Sequence, residues 1–62
     1  MALDKNGREI NLHSFLGVQI GSKICFGDVV SIMGTNLNLK IYDEFDSPSN
    51  FLVESDSCWH PL

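Results

Sequence analysis

Cysteine and histidine are the residue types in this chain with the greatest capacity for chemistry, and two of each are present. Cys58 and His60 stand two residues apart, so on a strand their side chains would point to the same face. Together with Cys25 and His13 they supply the ligand types of a Cys2His2 zinc site. The spacing does not fit, because structural zinc sites draw ligands from paired knuckles such as C-x2-C, which this sequence lacks. We therefore expect no metal and no cofactor.

A thiolate–imidazole pair, Cys58 with His13 or His60, is the second chemical possibility. Catalysis by such a pair also needs an orienting acid and an oxyanion hole in the same place. A domain of 62 residues offers little concave space to hold them. Carboxylate pairs such as Asp43 with Asp46 are more often surface charges than an acid–base couple. We expect the protein not to be an enzyme.

The elements that must position these residues are strands, because apolar side chains recur with a period of two. In "LNLKIYDE", Leu37, Leu39 and Ile41 share one face, which predicts a half-buried strand. The preceding "MGTN" supplies turn residues, so residues 24 to 44 predict an antiparallel hairpin.

The first strand of that hairpin, "KICFGDVVSIM", is rich in β-branched and aromatic residues, and a glycine interrupts it. We expect a bend near Gly27 and Asp28, since glycine within a strand often marks a bulge. Simple alternation divides its apolar side chains into Ile24, Phe26, Val30 and Ile32 on one face and Cys25, Val29 and Met33 on the other. Two apolar faces predict a central strand.

The segments on either side are less regular. Asn6-Gly7 predicts a type I′ turn between Leu3 and Ile10. "NLHSFLG" fits either a strand or a short helix, and we expect a helical turn over residues 12 to 16 followed by a strand through residues 18 to 20. Pro48 breaks the ladder in "DSPSN", after which "FLVES" predicts another strand.

Residues 1 to 62 are thus expected to form a single, mainly β domain. Its strands predict a small curled antiparallel sheet, either an SH3-like partial barrel or an open meander, with at most one short helical turn.

Two short motifs carry a family resemblance. "DKNGREI", with "FGDVVSI" further on, resembles the D-x-x-G-x-x-I … G-D-I-V signature of the YopX-like proteins, which are small β-rich products of phages and prophages. Residues 11 to 26 separate the two parts here, whereas in the family they sit close together. The resemblance implies a phage-encoded accessory protein in which Asp4, Gly7, Gly27 and Asp28 are structural positions.

The charge of the chain is acidic, with a formal net charge of −4 at pH 7. Binding to nucleic acid through phosphate contacts is therefore not expected, and the four cations form no basic stripe. The acidic residues concentrate in the second half of the chain, at Asp43, Glu44, Asp46, Glu54 and Asp56. They form either an acidic face for a basic partner or a solvated surface.

Small size predicts self-association. A chain of this length buries only about 60% of the surface that its unfolded form exposes, and a small sheet leaves an open edge. We expect a homodimer or higher oligomer. The residues expected at the oligomer interface or a partner interface are Phe15, Tyr42, Phe45, Phe51 and Trp59. Trp59 either closes the core or anchors a partner.

The function expected from these features is a small oligomeric protein-binding module, phage-encoded, that inhibits or modulates a host protein. The alternative is a structural or assembly component that acts by pairing of edge strands. The sequence shows neither a secretory signal nor a membrane span. We expect the protein in the cytoplasm, or in the host cytoplasm if it is phage-encoded. Cys25 and Cys58 are then expected to be reduced, and a single disulfide between them is the alternative.

Overall fold

Five antiparallel strands and one 3₁₀ turn make up a computed structural model that describes residues 1–42 and 45–62. The strands are β1 (Phe15–Ile20), β2 (Lys23–Met33), β3 (Asn36–Tyr42), β4 (Pro48–Glu54) and β5 (Cys58–Trp59). They form one open sheet in the order β4-β3-β2-β1-β5, so β4 and β5 lie at opposite edges. The predicted mainly β, antiparallel fold is confirmed.

Two glycine turns set the register of the central strands. Gly21 and Gly34 have φ values of 62° and 63°, and each is the first residue of a two-residue loop, the arrangement typical of a type II′ hairpin turn. Gly34 joins β2 to β3, which confirms the predicted hairpin as far as Tyr42. Asp43 and Glu44, its last predicted residues, lie outside the described residues.

The core lies on one face of the sheet, under the N-terminal turn. The alternation predicted for β3 is confirmed, because Leu37, Leu39 and Ile41 are all buried. The complete set of buried apolar residues is Ala2, Ile10, Leu16, Val18, Val29, Leu37, Leu39, Ile41 and Cys58.

The irregularity in β2 lies two residues beyond the predicted bend. The register with β3 shifts between Val29 and Ser31, which makes Val30 the extra residue of a bulge. Ile32 is thereby turned to the core side, opposite Leu37. Its predicted place on the same face as Phe26 is wrong, because that prediction assumed unbroken alternation.

The helical turn predicted over residues 12 to 16 is also wrong. Ser14 N donates to Asn11 O at 3.1 Å, and His13 has a φ of 70°, a left-handed conformation that a right-handed helix does not allow. β1 already begins at Phe15, because this segment pairs with β2. The only helical turn among the described residues is the 3₁₀ helix Ser55–Ser57.

The N-terminal segment forms the predicted hairpin with a different turn. An isolated bridge joins Leu3 to Glu9, and Gly7 N donates to Asp4 O at 3.0 Å. Gly7 has a φ of 80°, whereas Asn6 is not among the residues with positive φ. The turn is therefore not type I′, which requires positive φ at both central residues.

β4 begins at Pro48, opposite Tyr42, three residues before the predicted strand. An edge strand accommodates this proline because its missing N–H need not serve the ladder. In the part of the chain that the structure describes, no helix is long and apolar enough to cross a membrane.

Candidate functional site

The face of the sheet opposite the core carries a row of residues from three strands. Gly17 of β1 pairs with Phe26 of β2 on one side and with Trp59 of β5 on the other. Directly paired residues point to the same face, so Gly17 leaves a gap between two large rings. The Trp59 ring fills this gap: a Cβ added to Gly17 would lie 2.6 Å from Trp59 Cε2.

Phe15 extends this row into an exposed aromatic surface. Its ring stacks on that of Phe26, with ring centroids 5.9 Å apart and an interplanar angle of 13°. The two side chains are nevertheless 51% and 45% exposed, and Ile24, two residues before Phe26 on the same face, is 60% exposed. We call Phe15, Ile24, Phe26 and Trp59 the aromatic patch. Lys5 borders it, with its Nζ 4.9 Å from the centre of the Trp59 ring.

Trp59 does not close the core. Its neighbour Cys58 is the β5 residue that enters the core, while Trp59 stays half-buried on the opposite face. Packing against Gly17 and beside Lys5 fixes the ring without removing it from solvent.

The other aromatic residues singled out in the sequence do not all lie on one face of the sheet. Tyr42 ends β3 with Lys40 Nζ 5.4 Å from its ring centre, and Phe45 lies in the turn before β4. Phe51 is on the core side of β4, opposite Leu39. The structure therefore brings Phe15 and Trp59 together in the patch and places Phe51 on the opposite face. Tyr42 lies on the same face as the patch, on the neighbouring strand β3.

Sequence reasoning missed Phe26 and Ile24 as members of the patch. The signal that identifies them is "IGSK", a Gly-Ser pair of the same kind as the Gly-Thr pair in "MGTN". It sets the β1–β2 register and places Phe26 opposite Gly17.

Gly17 should tolerate a side chain only if Trp59 is removed. We expect Gly17→Ala to lower the free energy of unfolding by about 1–3 kcal/mol, because the new methyl group overlaps the indole ring. Urea denaturation followed by circular dichroism measures this change. In a Trp59→Ala background the same substitution should be neutral or slightly stabilising, since alanine orders a strand better than glycine. An equal loss in both backgrounds would contradict the contact.

The acidic residues are expected to form either an acidic face or a solvated surface, and those that the structure describes lie at the two ends of β4. Asp46 precedes the strand, while Glu54 ends it and Asp56 follows in the 3₁₀ helix. A seven-residue strand separates the two groups by about 20 Å. Asp43 and Glu44, the remaining members, lie outside the described residues.

Glu54 and Asp56 instead border an open groove of about 520 Å³. It lies between the N-terminal turn and the 3₁₀ helix, and its other lining residues are Met1, Leu3, Asp4, Lys5, Gly7, Thr35 and Ser55. The groove is lined by charges of both signs, the carboxylates of Asp4, Glu54 and Asp56 and the ammonium group of Lys5.

Among the described residues Asp4 is the buried charged side chain, with 4% exposure. Its Oδ1 accepts hydrogen bonds from the backbone N–H groups of Asn6 (2.9 Å) and Arg8 (2.8 Å). Its Oδ2 accepts from the backbone N–H of His60 at 3.2 Å and from His60 Nδ1 at 2.7 Å. The hydrogen bond from the His60 ring, aided by the backbone donors, lowers the pKa of Asp4 to about 2 in spite of its burial. The carboxylate therefore ties the N-terminal turn to the residues after β5.

The two cysteines are free thiols that lie on either side of Val18. Cys25 of β2 and Cys58 of β5 both pair with Val18, so two strand spacings, about 10 Å, separate their backbones. A disulfide needs Cα atoms no more than about 7 Å apart. Burial, with smaller contributions from Asp4 and Asp56, raises the pKa of Cys58 to about 11. This thiol is protonated at neutral pH, and its Sγ lies 3.5 Å from Glu54 O.

Among the described residues, no group of three or more His, Cys, Asp or Glu side chains is placed to hold a metal ion. His60, one of the four possible zinc ligands, turns its Nδ1 to Asp4.

No family model, no curated protein and no solved structure matches this chain. The resemblance to YopX-like proteins therefore stays a prediction.

Proposed function

We propose that this protein is a protein-binding module whose aromatic patch receives a short apolar segment of another protein. The observation that carries the proposal is the stacked pair Phe15 and Phe26, about half exposed beside the half-buried Trp59. Aromatic residues on a rigid sheet are typical anchors of protein interfaces, because they offer large contact areas and lose little side-chain entropy.

The size of the patch supports a short segment as the partner. An aromatic side chain buries roughly 150–250 Å² when fully covered, so Phe15 and Phe26 each leave about 100 Å² in solvent. With Ile24 the total is on the order of 300 Å², well below the ~800 Å² per partner of a standard protein interface. A few anchor residues of a partner would cover this area.

Charged side chains border the aromatic patch and would select among partner segments by charge. Lys5 lies beside Trp59, and Asp28 of β2 pairs with Phe15 on one side and Lys40 on the other. A partner segment that carries an acidic group near its apolar anchor would gain from Lys5. In the phage setting that the sequence resemblance implies, the partner is a host protein that this module inhibits or modulates.

A Phe15→Lys variant tests the patch without disturbing the fold. Asp28 lies directly opposite residue 15, so the new ammonium group has a cross-strand partner while the stacked pair is lost. Peptides selected from a random linear library against the wild-type protein should contain aromatic or aliphatic anchors, and they should bind Phe15→Lys at least tenfold more weakly by fluorescence titration.

The matched control is Met33→Lys. Met33 is 61% exposed at the far end of β2, so the same substitution there changes charge and apolar surface away from the patch. Its peptide affinity should stay within about twofold of wild type. Peptides that bind Phe15→Lys as tightly as the wild type, or a library that yields no binders, would contradict the proposal.

A further inference from the structure

The outer edge of β4 presents unpaired backbone groups. β4 pairs with β3 on one side, and no strand of the described residues pairs with its other side. Ser55 N donates to Thr35 O at 2.8 Å, so these two opposite residues form a hydrogen-bonded pair. Along an antiparallel ladder, hydrogen-bonded and non-hydrogen-bonded pairs alternate. Odd-numbered residues of β4 direct their N–H and C=O groups to β3, so those of Asn50, Leu52 and Glu54 point outward.

The side chains along this edge are apolar in the middle and polar at the ends. Leu52 is 66% exposed on the face opposite the core. Phe51, 37% exposed, and Val53, partly buried, are on the core side. Asn50 and Glu54 flank them. No lysine, bulge or inward charge protects the segment, and Pro48 blocks only its first residue.

We propose that β4 pairs antiparallel with β4 of a second copy of this chain, with the twofold axis at Leu52. In this register Leu52 faces the partner subunit's Leu52, Phe51 faces the partner subunit's Val53, and Asn50 faces the partner subunit's Glu54. The outward backbone groups of Asn50, Leu52 and Glu54 then meet in pairs that exchange both of their hydrogen bonds. Each apolar side chain meets an apolar one, and the polar ends meet each other.

Neighbouring registers are less favourable. A twofold axis at Phe51 would place Asn50 opposite the partner subunit's Leu52, which sets a polar side chain against an apolar one. An axis at Asn50 would place Leu52 opposite the partner subunit's Pro48, which has no N–H to donate. An axis at Val53 would carry the ladder into the 3₁₀ helix at Ser55. The sequence of the edge therefore selects Leu52 as the centre.

This dimer is independent of the proposed peptide site. The aromatic patch lies on β1, β2 and β5, toward the opposite edge of the sheet, and remains accessible when two β4 strands join. A dimer would carry two such patches, so a partner with repeated segments would bind with avidity.

Sedimentation equilibrium of the wild type and two variants tests both the dimer and its register. The wild type should form a concentration-dependent dimer. Asn50→Glu should weaken it about five- to tenfold, because the new carboxylate faces the partner subunit's Glu54 at both ends of the interface. Within its own sheet residue 50 lies opposite Lys40, so this substitution should not lower the thermal unfolding midpoint of the monomer.

The double variant Asn50→Glu with Glu54→Lys restores opposite charges across the twofold axis. Its dimerisation constant should return to within about threefold of wild type. A wild type that is monomeric at all concentrations, an Asn50→Glu variant that dimerises as well as wild type, or a double variant that is not restored would each overturn the proposal.

Discussion

A Gly27→Ala variant is expected to lose about 3 kcal/mol of its free energy of unfolding. The new Cβ would lie 2.6 Å from Lys40 O and 2.8 Å from Ile41 Cγ1, in the middle of the sheet. A domain of this size has a total stability of roughly 3–9 kcal/mol, so this loss would remove between about a third and all of it. Equilibrium denaturation in urea, followed by circular dichroism, measures the difference.

The backbone oxygen distinguishes this site from Gly17. At Gly17 an added Cβ would clash with the side chain of Trp59, and truncation of Trp59 relieves the clash. At Gly27, truncation of Ile41 to alanine leaves Lys40 O in place, so Gly27→Ala should cost nearly as much in that background as in the wild type. A loss below about 1 kcal/mol in both backgrounds would mean that β2 and β3 separate locally at little cost.

The parts of the fold that follow from local sequence were predictable. The alternation of Leu37, Leu39 and Ile41 and the turn residues of "MGTN" define a hairpin without knowledge of the other strands. The bulge at Val30 had no such signal, because it depends on how β2 and β3 match in register. Gly27 lies in a regular part of the ladder, and glycine is needed there because β3 approaches closely, not because of a bulge.

The residues of the candidate site were recognisable by type, while their partners were not. Phe15 and Trp59 are conspicuous as large apolar residues in the sequence. Only the β1–β2 register and the β1–β5 pairing show that Phe26 and Trp59 lie on either side of Gly17, two residues along β1 from Phe15. Asp4 belongs to the "DKNGREI" motif, and His60 is a possible metal ligand by residue type. Their contact joins residues 56 positions apart, which no local pattern specifies.

The Asp4–His60 contact predicts a second large effect, on stability at acidic pH. The pKa of Asp4 is about 2 in the folded protein, below its ordinary value of 3.8. A group with a lowered pKa stabilises the folded state fully above its unfolded pKa, and this contribution is lost as pH falls from about 3.8 through about 2. Wild-type stability should therefore decline across that interval, and in Asp4→Asn this component of the decline should be absent.

At neutral pH, Asp4→Asn should be less stable than any other single Asp-to-Asn variant among the described residues. The amide is uncharged and gives up the charge-assisted acceptor that His60 and two backbone N–H groups share at a buried position. The matched control is Asp28→Asn, which makes the same chemical change on the exposed face of β2. Thermal unfolding between pH 2 and pH 7, with Trp59 fluorescence as the probe, compares the two variants. If both showed the same acid dependence as wild type, the Asp4 carboxylate would not be what holds the residues after β5 to the N-terminal turn.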